Sequence, residues 1–202
     1  MPAGTLSDAQ VERFERLAWG YLPVLMRAAL AITHRHDQAE DLVQETMIKA
    51  LHAIERFQNG GDIKAWLMTI LRRTFIDLYR SRGHERGQRS LEEGNVPEPA
   101  GEMETQAAEH DGLWTDPRRL LERFEDEQII EALRTLPDDI RWTLLLVDVE
   151  ELDQRQAAEV LGVAVGTIKS RAHRGRGMLR DRLMELARQR GWVKEDGGEA
   201  KP

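Results

Sequence analysis

Six cations, Lys169, Arg171, Arg174, Arg176, Arg180 and Arg182, fall within fourteen residues that hold a single acid, Asp181. The whole chain has a net charge of −7, so the sign reverses locally. Ammonium and guanidinium groups in this density make no bonds; they bind phosphates and the acceptor edges of bases. A solvated amphipathic helix has the same composition, and what precedes the cluster separates the two readings. Ala158, Gly162 and Ile168 stand in the order a helix-turn-helix needs. A small residue lets two helices approach, a glycine accepts a positive φ at the turn, and an apolar residue seats the second helix. Asp153 with Gln156 supplies a capping box for the first of these helices. Ala164 is a poor cap for the second, whose free N–H groups suit a DNA phosphate. The segment from Asp153 to Arg182 therefore reads as a major-groove binder.

A second cluster lies far upstream. Trp66, Phe75 and Tyr79 are interleaved with Arg72, Arg73, Arg80 and Arg82, next to a Gly60-Gly61 turn. Aromatic faces stack unpaired bases and arginines follow the backbone, so this set fits single-stranded nucleic acid. The competing reading makes Trp66 and Phe75 core residues. Trp66 is better explained that way, which leaves the loop Gln58–Asp62 as the better base-contact candidate.

Bond-making chemistry finds no support. Cysteine is absent, which excludes disulfides, thiolate metal sites and a thiol nucleophile. The six histidines lack the i, i+4 spacing of a helical zinc site, and no phosphate loop or nucleophile elbow is present. No metal and no cofactor is expected. The N-terminus lacks a basic start followed by an apolar run, and no stretch reaches the ~20 apolar residues of a membrane span.

The elements that must carry these clusters are all helical. Val11, Phe14, Leu17, Ala18, Tyr21, Leu22, Leu25 and Ala29 recur at helical spacing over 8–31, with Pro23 predicted to kink or split the helix. Asp37 and Glu40 predict the cap of a second helix, with an apolar stripe Leu42, Val43, Met47, Ala50, Leu51 and Ile54. Its opposite face holds Asp41, Gln44, Glu45 and Lys49, which composition alone leaves to solvent. A third helix runs from about Ile63 to Ser81. Asp116-Pro117 predicts a helix start, Leu136-Pro137 its end, and Asp138 the cap of a helix over Ile140–Val149. Charge divides the chain between these parts. Residues 1–91 carry 13 bases against 11 acids, 92–131 carry 3 against 13, and 132–202 carry 13 against 12. The acid excess is concentrated in a Pro- and Gly-containing stretch, 92–116, which reads as a linker between two all-α domains. The expected boundaries are 1–91, 92–116, 117–190 and a charged tail, 191–202.

With both clusters in place, the chain resembles the extracytoplasmic-function (group 4) sigma factors of the bacterial sigma-70 family. AEDLVQETMIKAL (Ala39–Leu51) and FQNGGDIKAWLMTILRRTFIDLYRSR (Phe57–Arg82) resemble their region 2. LRTLPDDIRWTLLLVDVEEL, followed by the helix-turn-helix and GTIKSRAHRGRGMLR, resembles region 4. The resemblance covers about residues 10–90 and 120–188, in order. It implies a cytoplasmic, non-enzymatic transcription factor that binds core RNA polymerase and promoter DNA, with an anti-sigma factor as a further partner. Asp41, Leu42, Gln44 and Glu45 would meet the clamp helices of the largest polymerase subunit. Gln58, Asn59, Gly60, Gly61 and Asp62 would capture a flipped base of the −10 element, and Arg72, Arg73, Asp77 and Arg80 would lie along it. Val165, Gly166, Thr167, Lys169, Ser170, Arg171, His173, Arg174 and Arg176 would read the −35 element. The acidic linker would run toward the RNA exit path.

Two departures stand out. Arg73 replaces an Asn common among relatives, which puts the −10 preference in doubt. Asp153…Gln156-Ala157-Ala158 replaces the usual Ser…Glu-Ile-Ala, with the capping chemistry kept. An ordinary DNA-binding regulator, a nucleic-acid enzyme and a decoy that mimics a sigma domain are the competing classes. Promoter opening that depends on polymerase separates the first of these from a sigma factor.

Overall fold

A computed structural model describes residues 6–33, 35–58, 60–85 and 126–190; the side chains of 79–85 and of Asp126 are outside that description. Every regular element among the described residues is helical. The first group comprises α1 (Asp8–Ala18), α2 (Leu22–Thr33), α3 (His36–Ala53) and α4 (Ile63–Glu85). The second comprises α5 (Asp126–Arg134), α6 (Asp138–Leu144), α7 (Gln154–Leu161) and α8 (Val165–Gln189).

The central element is α2. It buries Leu25, Ala28, Ala29, Ala31 and Ile32, on more than one side. A helix apolar around most of its girth must be covered around most of its girth. α3 and α4 cover one side, and α5 and α6 of the second group cover the other. The alanines leave room for close helix approach. Arg27 is the only charged residue between Leu22 and Thr33, so this helix has one charge to satisfy.

Pro23 behaves as expected. α1 ends before a 3₁₀ turn, Trp19–Tyr21, and Pro23 falls in the first turn of α2, where its missing N–H costs nothing. The predicted cap of α3 does not form. Arg35, in extended conformation, occupies the N-cap, and no side chain caps that end. Asp37 is drawn instead to Arg35, whose Nη2 donates to it at 2.6 Å, and Glu40 pairs with His36 Nδ1 at 3.3 Å. Neighbouring bases have taken both carboxylates. The Arg35 hydrogen bond holds the Asp37 carboxyl below its ordinary range. α4 runs to Glu85, past the expected Ser81. The predicted start at Asp116-Pro117 and the acidic linker lie outside the described residues.

In the second group Leu133, Ile140, Leu144, Leu145 and Ile168 are buried, and they continue the core of the first group. Pro137, not Asp138, is the N-cap of α6, and no side chain bonds there. Arg141 closes the turn between α5 and α6. It is buried, and it donates to the carbonyls of Leu133, Arg134 and Leu136 at 3.1, 3.1 and 2.7 Å. The helix expected over Ile140–Val149 changes pitch after Leu144. Residues Leu145–Val149 form a π turn, and Glu150 N–H bonds to Leu145 O at 2.9 Å. That widened turn presents Asp148 to one side and Glu150 to the other.

The capping box of α7 forms as expected. Asp153 Oδ1 accepts from the N–H groups of Arg155 and Gln156, both at 2.8 Å, and Gln156 Oε1 accepts from Asp153 N–H at 2.9 Å. Asp153→Ala should cost about 1 kcal/mol. A urea midpoint equal to the parent's would show that the cap contributes nothing. Gly162 ends α7 at φ 67, in the left-handed region that favours glycine.

Candidate nucleic-acid interfaces

α8 presents the downstream candidates. Ile168 and Ala172 are buried against the rest of the second group and set its rotation. Val165, Gly166, Lys169, Ser170, His173 and Arg174 are exposed, while Thr167 and Arg171 are half-buried. Ala164 makes no side-chain cap, so the start of α8 has no side-chain ligand on its N–H groups. Asp139 on α6 steadies two of the arginines, with Arg171 Nε at 3.2 Å and Arg174 Nη2 at 3.9 Å.

Arg176 differs from the other candidates. Its Nε lies 3.2 and 3.1 Å from the two Asp148 carboxylate oxygens, and its Nη2 donates at 2.8 Å. The Asp148 side chain is 2% exposed. The hydrogen bond from Arg176 to Asp148 raises the guanidinium above its ordinary range. The Nε–Nη2 edge of its fork is already filled by a buried carboxylate, so Arg176 positions α8.

The upstream candidates sit on a loop and the helix that follows it. Arg13 Nη2 donates to Phe57 O at 2.6 Å and fixes the start of the loop. Gly60 has φ 96, which a side chain would strain. Asp62 Oδ1 accepts from Ala65 N–H at 3.1 Å and so caps α4. Gln58, Gly60, Gly61 and Asp62 are exposed; Asn59 lies outside the described residues. Trp66 is half-buried and packs on Phe57 at a centroid distance of 5.3 Å. The two rings form the floor of a cleft of about 440 Å³ that Gln58, Gly61 and Asp62 also line. That is enough room for a nucleobase, in a cleft with aromatic surface and polar edges.

Along α4, Arg73 and Asp77 are exposed and Arg72 is half-buried; Arg80 is described as helix backbone only. Burial first, then the neighbouring Arg171 and Arg73, lower Arg72 from its ordinary range. Phe75 does not face outward. It meets Trp142 of the second group edge-on, at 5.9 Å.

The polar face of α3 is as the pattern suggests at three positions. Asp41 and Gln44 are exposed and Glu45 is half-exposed. Leu42 is 1% exposed and belongs to the core, so its side chain offers no partner a surface. One helical position rotates a residue by about 100°, which is enough to turn Leu42 inward. Ile48, 45% exposed, extends the outward face by one further turn and was not singled out by pattern. Lys49 joins this face to α4, at 3.6 Å from Glu45 and 3.7 Å from Asp77.

Among the described residues no cluster of His, Asp and Glu is arranged to hold a metal, and no helix is long and apolar enough to cross a membrane.

The comparisons with known proteins follow the same division. Residues 19–85 match the model of Sigma-70 region 2, and residues 126–179 that of Sigma-70, region 4. The chain is 37% identical over 158 residues to the ECF RNA polymerase sigma factor EcfG of Rhodopseudomonas palustris (strain TIE-1), covering 78% of each chain. It belongs to the extracytoplasmic-function sigma factors. The sigma factor is also 31% identical over 180 residues to ECF RNA polymerase sigma factor SigE of Mycolicibacterium smegmatis, covering 89% of this chain and 65% of that one. Its fold is similar to that of the Bartonella quintana sigma factor RpoE, solved in complex with the anti-sigma factor NepR. There the TM-score is 0.62 at 31% identity, over 87% of this chain and 98% of that one. As a sigma factor it acts in transcription initiation.

Proposed function

We propose that this sigma factor binds core RNA polymerase through Asp41, Gln44 and Glu45 on α3. It reads the −35 element with α8 and captures an extruded −10 base in the cleft beside Gln58–Asp62. The observation that carries the reading is the aromatic-floored cleft with an exposed loop at its mouth. The first domain supplies its aromatic floor and loop, and Gln156, Glu159 and Val160 of the second complete its lining; the outward Lys169, His173 and Arg174 lie on the second. Base capture offsets the unstacking cost of melting, a few kcal/mol per base. Arg73 and Asp77 lie along the melted strand, and Arg73 contacts phosphate. The domain boundaries of the reading are 1–91, 92–116, 117–190 and 191–202, with the acidic linker in the RNA exit path. The factor works in the cytoplasm, without metal or cofactor, and an anti-sigma factor restrains it, as NepR accompanies RpoE in the Bartonella quintana complex.

In vitro transcription with core polymerase on a promoter library tests this reading and returns the promoter sequence. Transcripts whose start sites depend on this factor support it; duplex binding with no polymerase-dependent opening would refute it. Lys169→Ala should weaken −35 duplex binding by about 1 kcal/mol, the low end of the ~1–3 expected for a base contact, because lysine is a single-point donor. Binding that keeps its affinity and salt slope would remove Lys169 from the interface.

A further inference from the structure

The cations of α8 account for phosphates and for the acceptor edges of bases, but the first turn of that helix carries neither charge nor hydroxyl on its outward side. Val165 opens α8 and is 36% exposed, one of three large apolar side chains exposed among the described residues, with Trp19 and Ile48. A single exposed apolar residue is ordinary on a protein surface. Two features set this one apart.

The first is its setting. Val165, Gly166, Lys169, Ser170, His173 and Arg174 are exposed at i, i+1, i+4, i+5, i+8 and i+9, so they form one outward stripe. Val165 is the apolar side chain of that stripe, with Lys169 one turn further along the same line. Val163, two residues earlier, packs against the core, whereas Val165 meets solvent. A β-branched side chain gains nothing for a helix in water. The cations around it select an anionic occupant, and the valine then calls for an apolar group on that occupant.

Gly166 is the second feature. Its φ is outside the left-handed region, and a Cβ built on it would meet nothing within 4 Å. Neither backbone conformation nor packing calls for glycine there, although alanine is the better helix former. A missing side chain at such a place lets the helix backbone come close to a ligand. Valine is short, so it reaches a base edge only from a helix lying deep in the groove, and Gly166 beside it permits that depth.

In the major groove thymine alone presents a methyl group. Against cytosine N4 or guanine O6, an apolar side chain would desolvate a polar atom and return no hydrogen bond. The N-terminal residues of a recognition helix are the ones that meet base edges.

We infer that Val165 determines specificity: it packs on the C5 methyl group of one thymine of the −35 element, and Gly166 admits the DNA to that distance. The inference rests on the proposed −35 role of α8. It adds a base identity that Lys169 and Arg174, which donate to acceptors, do not supply.

The test uses holoenzyme assembled from the full chain and core polymerase, on the promoter recovered from the library. Each thymine of the −35 element, on either strand, is replaced in turn by deoxyuridine, which removes the methyl group and nothing else. One replacement should weaken binding by the parent roughly fourfold, the equivalent of one buried methyl group. Val165→Ala should lose a similar factor on the natural duplex and be indifferent to that same replacement, while Val165→Ile should keep the sensitivity. Gly166→Ala should weaken binding at an undiminished urea midpoint, where Gly177→Ala, three turns along the helix, should not. An element with no fixed thymine, a uridine scan without effect on the parent, or a uridine effect that persists in Val165→Ala each overturns the inference. So does a Val165→Ala variant that binds DNA as the parent does but assembles poorly on core, which would give the residue to a protein surface. Lys169→Ala separates the two levels. Weakened binding there with an inert uridine scan leaves α8 on the −35 element and removes Val165 alone; a parent that drives no factor-dependent transcription removes the reading beneath it as well.

Discussion

Arg176→Ala should destabilise the C-terminal domain by about 2–4 kcal/mol, more than any loss of surface charge would explain. The Asp148 carboxylate is 2% exposed, and both its oxygens are engaged by the same guanidinium. Removing the arginine leaves a buried anion without its partner, a change that costs about 3–5 kcal/mol when the pair is wholly enclosed. The Arg176 side chain is 36% exposed, so water reaches the gap and the expected loss is smaller. Urea unfolding reads the effect as a lower midpoint at unchanged slope. The double change Arg176→Met, Asp148→Leu should lose less than Arg176→Ala alone, since no charge is then stranded. A single variant as stable as the parent would show that the ion pair is dispensable.

That pair marks a limit of what the amino-acid order reveals. In sequence Arg176 is one of six cations on a basic helix, with nothing to set it apart. Its partner is 28 residues upstream, on a π turn that the apolar pattern around Leu145 reads as ordinary helix. The helix-turn-helix was legible because its signals are local. Asp153 and Gln156 are three apart, Gly162 follows at the other end of the same short helix, and each acts on its own backbone. The cap expected from Asp37 and Glu40 had the same local form and failed locally, because Arg35 and His36 compete for those carboxylates. Leu42 sat at a position that the resemblance assigns to a surface, yet it continues the apolar stripe with Val43 and Met47, and the stripe decides. Contacts between the domains had no pattern to find. Phe75 was read as a base-stacking or core candidate, while its partner Trp142 lies across the seam. One clue was present: Arg27 alone in the apolar run of α2 calls for a buried anion, and Glu150 is that anion.

The two glycines of the Arg174–Met178 stretch should respond to the same substitution with opposite signs. Alanine is favoured over glycine in a helix interior by about 0.8–1 kcal/mol, whatever the surroundings. At Gly177 an added Cβ meets nothing within 4 Å. Gly177→Ala should therefore raise stability by about 0.5–1 kcal/mol. At Gly175 the same atom would stand 2.6 Å from Ile140 Cγ2 and 3.1 Å from Leu144 Cδ1. Ile140 and Leu144 are wholly buried, so neither has space to withdraw. The helices must part, at a cost of about 1–3 kcal/mol or more that exceeds the gain in propensity. Gly175→Ala should therefore lower the urea midpoint where Gly177→Ala raises it. Parting α8 from α6 also strains the contacts from Arg171 and Arg174 to Asp139, which set the outward face of the recognition helix. Gly175→Ala should then weaken −35 duplex binding even at temperatures where the domain stays folded, and Gly177→Ala should not. Equal midpoints for the two variants would mean that α6 and α8 are not in the close contact that gives Gly175 its role.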